Sequence, residues 1–526
     1  SRNRLKMIFK ILSLLCSVCY TGSDDVSGYS ARHRITAFWC IGADHRHYRC
    51  MGWSRTSSSS SDLLRCSIDC GVVFMSRTND LGQDRISRLV IRLAIPTMLA
   101  QLVNVLYSIV DRMYIGTGVG SLALAGVGVC APIVTLLTSF GSMVGQGGAP
   151  IMAMQMGSGD HKSAKQTLNN GFFMLLVLSA VLTGLFLLTK DQLLMWFGAS
   201  EATFSYANTY VTIYTAGTFF ALISGGLNSF LIAQGFSGLG MATVVLGAVL
   251  NIILDPVFIF IFHMGVAGAA IATVISQMAS CAFVLLSLRS HKMPVRLGWG
   301  GFQASVIRRI VTFGFSPFLI LASDSILLIV LNTVLQKYGG PGEGDTLVTC
   351  ATIVQSYLLL ITMPMGGITL GSQPVVSFNY GKGDPDRIKK AIQCITGLCV
   401  IFCIFMTIVT QTISPLYVRL FTTDSVILAR SVTYIKRFTA MIIPLAIQYP
   451  LVDETTALGK IGQALFCSAF RKCVFFTGLL LLPALFTADA AFFSEPIADV
   501  ISATMTSILF LHRFPRILKE CQNQHL

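Results

Sequence analysis

The chain has 526 residues, of which 53% are hydrophobic and only 12% are charged, and its formal net charge is +14. Soluble domains carry about 25% charged residues, so a composition this poor in charge excludes an ordinary soluble protein. The basic excess does not indicate nucleic-acid binding, because Lys and Arg are scattered in short stretches between apolar blocks instead of being clustered on one soluble segment.

The segment 1–74 differs from the rest of the chain. It contains six cysteines and ten Lys or Arg, and its apolar run at 11–20 is too short to span a bilayer. We predict that 1–74 is a non-native or disordered extension, with a cleaved leader or a regulatory tail as the alternative. No function is assigned to it.

Apolar blocks from position 75 onwards predict twelve membrane-spanning helices. A helix needs about 20 mostly apolar residues to cross a bilayer. Blocks of this length occur at 89–115, 122–154, 168–189, 207–233, 240–262, 266–288, 311–336, 347–378, 391–417, 426–452, 461–486 and 496–513. Arg471 and Lys472 interrupt the eleventh block, so its membrane part is expected to begin only at Cys473. The fold class that follows is an all-α integral membrane protein.

Basic residues fall mainly on one side of these helices. The N-terminus, the even-numbered loops and the C-terminus together hold nineteen Lys or Arg, whereas the loops on the other side hold three and are acidic, with Glu495 among their residues. Because loops rich in Lys and Arg stay in the cytoplasm, both termini are predicted to be cytoplasmic. We expect a multi-pass protein of the plasma membrane.

The chain contains an internal repeat. The turn Gly157-Ser-Gly-Asp160 returns as Gly381-Lys-Gly-Asp384, and the same offset in sequence position relates Pro150 to Pro374 and Gly235 to Gly459. The repeat predicts two homologous six-helix bundles, an N-lobe at 75–300 and a C-lobe at 301–526, with a substrate site near the midplane. The turns are not phosphate-binding loops, since nothing fits GxxxxGK[ST], so transport is expected to draw on an ion gradient or on a partner subunit.

Two acids in the N-lobe are the main candidates for an ion-coupling site. Asp111 lies near the outer end of the first helix, and Asn251 and Asp255 lie one helical turn apart on one face of the fifth. Carboxylate and amide oxygens suit a hard cation, and a desolvated acid pair can share a proton. The alternatives are an ion pair of Asp111 with Arg112 and a simple helix-end acid at Asp255.

For three further acids in the helices, the sequence predicts a role or a position less precisely. Asp324 in the seventh helix is expected either to line a cavity or to serve helix packing. Asp453 and Glu454 are expected at the membrane interface, at the cytoplasmic end of the tenth helix. An acid within the bilayer needs a partner or a purpose, because its insertion costs at least about 2.5–3.5 kcal/mol.

The part of the chain from position 75 resembles the multidrug and toxic compound extrusion (MATE) family of the MOP flippase superfamily. The matching stretches are PTMLAQLVNVLYSIVDRMYIG at 96–116, GSGDHKSAKQ at 157–166, NIILDP at 251–256, GVAGAAIATVISQ at 265–277, GKGDPDRIKKA at 381–391 and PIAD at 496–499. No single stretch is very specific, but their order and spacing are.

The resemblance implies a secondary antiporter that exports organic, often cationic and amphipathic, drug-like compounds in exchange for H⁺ or Na⁺. It implies no enzyme activity, no cofactor apart from the coupling ion, no nucleic-acid partner and a monomer. By position, the residues that resemble the family's N-lobe cation site are Asp111, Asn251 and Asp255, with Ala269 and Thr273 completing it in sodium-binding members. Possible Na⁺ ligands are Asp111, Asn251, Asp255 and Thr273, and Gln101 and Asn104 would lie around them.

Two other functions stay open. A flippase for lipid-linked saccharides would share the architecture, but it would favour a cavity lined with Arg and Lys, and the basic residues expected within the membrane are few. A non-transporting sensor would need a soluble signalling domain, which only the segment 1–74 could supply.

Overall fold

The computed structural model describes residues 79–340, 343–422 and 424–523, and the extension predicted at 1–74 lies outside them. The α-helices of the described part are α1 Ile86–Gly118, α2 Ser121–Gly157, α3 His161–Trp196, α4 Glu201–Ala216, α5 Thr218–Ala233, α6 Ser237–Pro256, α7 Gly265–Arg289, α8 Ala304–Gly339, α9 Glu343–Lys382, α10 Pro385–Val418, α11 Ser425–Phe438, α12 Ile442–Ala457, α13 Ile461–Leu485 and α14 Ser494–Asn523. A π-helix, Val257–Ile261, extends α6, and a 3₁₀-helix, Ala488–Phe493, precedes α14.

The helices account for the twelve predicted spans. Ten of those in the described residues are long and apolar enough to cross a membrane, and α4 with α5, bent by 57°, forms an eleventh. The predicted span 426–452 is divided in the same way into α11 and α12. Its first half is less apolar because α11 carries Arg430, Lys436 and Arg437.

The predicted eleventh span, 461–486, forms one continuous helix. Helix α13 runs without a break from Ile461 to Leu485. It includes Arg471 and Lys472 because both side chains have carboxylate partners on neighbouring helices. A buried charge is tolerated in a helix when a partner compensates for the lost water.

The repeat is visible in the helix bounds and in the turns. Helices α4 and α5 begin at 201 and 218, and the offset of the repeat relates these starts to those of α11 and α12, at 425 and 442. Gly159 and Gly383 have φ angles of +81° and +78°, which glycine adopts without steric cost. Asp160 and Asp384 then cap the next helix by accepting a hydrogen bond from a backbone N–H of its first turn. The described chain therefore forms two homologous six-helix bundles.

The two lobes meet where glycines let helix backbones touch. Helix α2 crosses α8 at Gly147 and Gly314. A Cβ on Gly147 would lie 2.4 Å from the Ile310 carbonyl oxygen, and one on Gly314 would lie 1.8 Å from the Met143 oxygen. The repeat places Gly371 opposite α1 in the same way, where a Cβ would lie 2.6 Å from the Leu93 oxygen.

A short strap, residues 79–85, precedes α1 and binds the C-lobe. The Leu81 carbonyl accepts hydrogen bonds from Asn379 Nδ2 and from Arg387 Nη2, both at 3.0 Å. Arg387 Nη2 also donates to the Asp84 carbonyl at 2.9 Å. The first helix of the N-lobe is thus tied to the other lobe at its start.

The linker between the lobes, residues 290–303, binds the N-lobe in a corresponding manner. Asn170 Nδ2 on α3 donates to the Gly301 carbonyl at 3.0 Å, and the Gln303 N–H donates to Asn170 Oδ1 at 2.9 Å. We call the end of the molecule that carries the strap, this linker and the turns at Gly159 and Gly383 the basic end, and the opposite end the acidic end.

Candidate cation-binding site

The candidate site lies between α1, α6 and α7 in the N-lobe. Asn251 and Asp255 are one turn apart on α6 and are only 2% and 0% exposed. Asp255 stands at the end of α6, as the alternative of a helix-end acid also expects, and it is completely buried. Pro256 follows it, lacks a backbone N–H and cannot continue the α-helical hydrogen bonding. The chain widens there into the π-helix, a feature frequent at functional sites.

Four of the predicted residues form one hydrogen-bonded chain. Asn251 Nδ2 lies 3.2 Å from Asp255 Oδ1 and 3.3 Å from Thr273 Oγ1. The Thr273 hydroxyl donates its own hydrogen to the Ala269 carbonyl at 3.0 Å. The amide therefore joins α6 to α7 and lies between the Thr273 hydroxyl oxygen and the Asp255 carboxyl group.

Asp111 joins this group from α1. Its carboxyl group approaches that of Asp255 closely enough for one proton to bridge them. Within the described part of the chain, Asp111 Oδ1, Asp255 Oδ2 and Asn251 Oδ1 are buried and accept no hydrogen bond. Two ionised carboxylates at this separation repel each other, so a proton or a metal cation between them stabilises the arrangement.

A cavity of ≈ 150 Å³ opens beside the acids. It is lined by polar side chains of four helices, among them Asn104, Asn251, Thr273 and Gln277. Asn104 shares this cavity with Asn251 and Thr273. Gln101 lies about one turn earlier on α1, half-buried, and is not part of this lining.

Three tyrosines around Asp111 were not predicted from the sequence. Tyr107 and Tyr210 lie within electrostatic range of its carboxyl group. Tyr214 stacks on Tyr210 with ring centroids 6.1 Å apart and accepts a hydrogen bond from Gln277 Nε2 at 3.3 Å. Helical spacing was the available signal, since Tyr107 precedes Asp111 by one turn and Tyr210 precedes Tyr214 by one turn.

The π-helix connects the site to the end of α1. A Cβ on Gly118 would lie 2.6 Å from Ile259 Cγ2, so the two segments are in close contact. The rings of Tyr114 and Phe260 meet edge to face with centroids 6.2 Å apart. A change in charge at Asp255 can therefore reach α1 through the turn that directly follows it.

Asp324 does not join these residues. It lies on α8, in the other lobe, with 52% of its side chain exposed, and it forms an ion pair with Lys472 of α13. The carboxylate is half exposed, as a residue that lines a cavity would be, and it also links two helices, as a residue that serves helix packing would. It is not a neighbour of the N-lobe acids.

Asp453 and Glu454 lie in the last turns of α12, towards the basic end, and they are enclosed by neighbouring helices to an extent that the sequence did not indicate. Glu454 is 0% exposed, and Asp453 accepts a hydrogen bond from Thr369 Oγ1 at 2.6 Å. Helix α12 is buried on most sides by α9, α10, α13 and α14. The sequence did not reveal this, because a charged pair near the end of an apolar run is typical of an interface.

Glu495 was also misplaced, in an outer loop. It lies in the first turn of α14 and, with Asp499 one turn later, contacts Arg471 of α13. The side chains of Glu495, Asp499 and Arg471 are 9%, 1% and 18% exposed. The i, i+4 spacing of the two acids in an apolar helix was the signal that could have identified this cluster.

Comparisons with known proteins agree with this architecture. The MatE family model matches residues 96–257 and 321–475, more than half of the chain. The multidrug export protein MepA of Staphylococcus haemolyticus is 24% identical over 430 residues, which are 81% of this chain and 94% of that protein. MepA of Staphylococcus aureus strain NCTC 8325 is 24% identical over 420 residues, which are 79% of this chain and 91% of that protein.

Two solved structures show the same fold. An outward-facing multidrug resistance MATE transporter superposes with a TM-score of 0.79 at 21% identity, covering 84% of this chain and 100% of that one. A MOP superfamily transporter from Pyrococcus furiosus, described as having a binding pocket of reverse polarity, gives 0.78 at 22% identity, covering 84% and 99%. The family match over both lobes, together with the repeated six-helix bundles, shows that the chain belongs to the MATE family.

Proposed function

We propose that the protein is a secondary antiporter of the plasma membrane that exports organic, often cationic and amphipathic, compounds in exchange for H⁺ or Na⁺. The observation that carries the proposal is the pair Asp111 and Asp255, two neighbouring carboxyl groups that each have a buried oxygen without a hydrogen-bond partner among the described residues. The likeness to MepA proteins, which are named multidrug export proteins, supports drug-like substrates.

The acids bind the coupling ion through their own chemistry. A single proton between Asp111 and Asp255 removes the repulsion of two like charges in a medium of low dielectric constant. A sodium ion could use the same carboxylates together with the oxygens of Asn251 and Thr273, since hard cations prefer oxygen ligands. Either ion lowers the negative charge of the N-lobe.

Loss of that charge changes helix packing. The π-helix begins just after Asp255 and presses on α1 at Gly118. Because α1 also carries Asp111 and follows directly on the strap, the binding of an ion alters a helix that contacts both lobes. A ligand shifts a conformational equilibrium only by binding one state more tightly, and the acid pair provides such a difference.

The direction of transport follows from the charges of the loops. The basic end is assigned to the cytoplasm by the positive-inside rule, with both termini there and the lobes closed by the glycine crossings. The acid pair then lies towards the extracellular half, where an incoming ion binds and an outgoing substrate leaves. We take the working unit to be a monomer, in which each lobe contributes half of the transport path.

A lipid-linked saccharide flippase is less well supported. Such a protein needs free basic groups for the pyrophosphate. In the described residues, Arg471 is paired with Glu495 and Asp499, Lys472 with Asp324, and Arg430 with Glu343 at 2.5 Å. Lys436 and Arg437 are the two further basic residues of α11, and Arg437 lies over the rings of Tyr434 and Phe493.

Ethidium efflux from liposomes that contain the full chain tests the proposal. A pH gradient and a sodium gradient are applied separately, and Asp255→Asn is compared with the unmodified protein. We expect one gradient at least to drive efflux and the variant to lose it, because asparagine keeps the size of the side chain but can neither ionise nor carry the proton.

Asp191→Asn is the matched control. Asp191 is an acid of the same lobe with 66% of its side chain exposed, paired with Lys190 at the end of α3. Its substitution should leave efflux unchanged. Absence of efflux under both gradients, from protein that is folded in the bilayer, would rule out ion-driven multidrug export and favour a lipid-linked substrate.

A further inference from the structure

The C-lobe contains a buried charge cluster that the proposed function does not use. Arg471 donates from Nη2 and Nε to Asp499 Oδ1, at 2.9 Å and 3.3 Å, and from Nη2 to Glu495 Oε1. Arg471 lies nearly three turns into α13, roughly 15 Å along the helix from the basic end. The cluster is thus deep in the lobe and away from both ends of α13.

The charges of the cluster do not cancel. Two carboxylates face one guanidinium, so the group carries a net negative charge when both acids are ionised. A charge left uncompensated in a bilayer-spanning bundle is costly. Uptake of one proton would make the cluster neutral while Arg471 keeps its charge.

Asp499 is the acid that is placed to take that proton. Its side chain is 1% exposed, Oδ1 accepts both bonds from Arg471, and Oδ2 has no donor among the described residues. Ser502 and Thr506 follow on the same face of α14 and are 0% and 2% exposed. The Ser502 hydroxyl has no partner among the described residues, and the Thr506 hydroxyl lies beside the Cys467 thiol. The successive i, i+3 and i, i+4 steps separate these groups by about 4.5–6 Å along the helix, a gap that one water molecule bridges.

The other ionisable groups around α14 do not neutralise the net negative charge of the cluster. On the helices that pack near the cluster they include Asp324 on α8, Cys399 and Cys403 on α10, Tyr434 and Arg437 on α11, Tyr449, Asp453 and Glu454 on α12, Cys467, Arg471 and Lys472 on α13, and Asp489 in the 3₁₀-helix. Asp324 and Lys472 neutralise each other, and the tyrosines and the cysteines are neutral in the interior. Arg437 lies over the rings of Tyr434 and Phe493 and forms no ion pair within the described residues. Asp453 can only add negative charge, which favours protonation of the cluster.

Glu454 is a buried acid of the same lobe that, unlike Asp499, has no guanidinium beside it within the described ranges. It is 0% exposed, and both of its carboxyl oxygens lack a donor in the described part of the chain. No nearby cation among the described residues supports its ionised form. Asp499 differs because Arg471 stabilises its ionised form, and both protonation states are therefore accessible to it.

The cluster belongs to the C-lobe alone. The offset of the repeat places Gly247, Ile271 and Ile275 of the N-lobe at the positions of Arg471, Glu495 and Asp499. Conversely, Asn251 and Asp255 correspond to Phe475 and Leu479, which are buried in the apolar core. Each lobe thus has an acid site of its own, built on different positions of the repeat.

We propose that Asp499, with Glu495 beside it and Arg471 as its fixed counter-charge, binds an exchangeable proton in the C-lobe. The ligand is a proton and not a metal ion, because the guanidinium already places a cation on Asp499 and would repel a second. The inference goes beyond the proposed antiport, since it concerns proton binding to a second site and does not depend on what the N-lobe acids couple.

Infrared titration of the purified full chain in bilayers tests this site without any transport assay. The background is the variant Asp111→Asn with Asp255→Asn, which silences the N-lobe pair. We expect a protonated-carboxyl C=O band that still appears and disappears with pH in this background. Adding Asp499→Asn should remove that band.

Two matched variants identify its source. Adding Asp324→Asn, an acid of the same lobe with its own cation, should leave the titrating band in place. Adding Glu454→Gln should remove only a band that does not respond to pH. A titrating band that survives Asp499→Asn, or that is already missing in the N-lobe double variant, overturns the proposal.

Ser502→Ala covers the case in which Asp499→Asn does not fold. This change keeps every charge and removes a hydroxyl one turn from Asp499, so the midpoint of the titrating band should shift while the band remains. A midpoint that does not move contradicts the placement of the proton on Oδ2. The infrared titration does not measure ethidium efflux, so its result is independent of whether the protein is an antiporter.

Discussion

Gly157 of α2 and Gly381 of α9 occupy equivalent positions of the two lobes, and each packs against the backbone of the other's helix. A Cβ on Gly157 would lie 1.9 Å from the Phe378 carbonyl oxygen, and one on Gly381 would lie 1.9 Å from the Met154 carbonyl oxygen. Real Cβ contacts essentially never fall under 3.0 Å. The two lobes therefore touch at the basic end with no room for a methyl group.

This contact predicts that Gly381→Ala impairs transport. Inserting a methyl group into a tight backbone contact costs about 1–3 kcal/mol, and this cost falls on the state in which the basic end is closed. The closed state would lose roughly 10-fold or more in population, and ethidium efflux should fall by a similar factor. The measurement is the initial efflux rate under a saturating gradient, with thermal unfolding of the purified variant as the check on folding.

Gly397→Ala is the control for this change. Gly397 lies on α10 of the same lobe, and a Cβ there would have no neighbour within 4 Å. Its replacement should be neutral or slightly stabilising, since alanine favours the helix by about 1 kcal/mol over glycine. Efflux by Gly381→Ala at the rate of Gly397→Ala would show that the crossing does not open during transport.

The strap before α1 leads to a second prediction, for Arg387→Ala. The guanidinium donates to the carbonyls of Leu81 and Asp84 and, from Nε, to Asn379 Oδ1 at 2.9 Å. Hydrogen bonds from charged groups contribute about 1.5–3 kcal/mol. The strap should detach from the C-lobe in the variant, and the amides of residues 79–85 should exchange hydrogen for deuterium at least about 10-fold faster.

Lys389→Ala separates the strap from a general effect of charge. Lys389 is exposed on the same turn region of α10 and donates no hydrogen bond to the strap. Hydrogen exchange of residues 79–85 should be unchanged in that variant. If exchange there is equally fast in both variants, the loss of a basic residue and not the hydrogen bonds of Arg387 is responsible.

The fold could be predicted from the sequence much further than the sites. Apolar length and the internal repeat determine the number and pairing of the helices, because both can be read along the chain without knowing how it packs. The partners of Arg471 could not be predicted in this way, since they lie on another helix and a charge in an apolar run indicates an interruption as readily as an ion pair. The N-lobe acids were accessible because Asn251 and Asp255 share one helix face, whereas the contact with Asp111 depends on how α1 packs.

Thr273→Val provides a prediction that distinguishes the two coupling ions. The valine side chain keeps the shape of threonine but removes the oxygen that faces Asn251 at 3.3 Å. That oxygen can coordinate sodium, but it is not needed for a proton shared by Asp111 and Asp255. Sodium-driven efflux should therefore fall by about 10-fold or more, while proton-driven efflux should change less than about 3-fold.

The same liposomes serve for both gradients, so differences in protein amount cancel. Ser276→Ala is a suitable control, because its hydroxyl lines the same cavity and donates within its own helix to Ala272 at 2.8 Å. A Thr273→Val protein that loses proton-driven efflux and keeps sodium-driven efflux would contradict this assignment of the hydroxyl oxygen.

Removal of the buried cation in the C-lobe should destabilise the protein strongly. Arg471→Met leaves Glu495 and Asp499 without a counter-charge, and breaking a buried pair in this way costs about 3–5 kcal/mol. In the variant the folded state holds protons on these acids more tightly than the unfolded state does. Stability should therefore fall as pH rises and recover in acid, which thermal unfolding of the purified protein over a pH series measures.

Two further variants test whether the lost counter-charge causes the loss of stability in Arg471→Met. Glu495→Gln and Asp499→Asn added to Arg471→Met should restore most of the stability, because neutral side chains need no counter-charge. Lys472→Met should cost less than Arg471→Met, since its partner Asp324 is 52% exposed and is not enclosed by protein as Asp499 is. Equal losses for Arg471→Met and Lys472→Met, with no dependence on pH, would mean that packing of the long side chains and not charge balance sets the stability of this lobe.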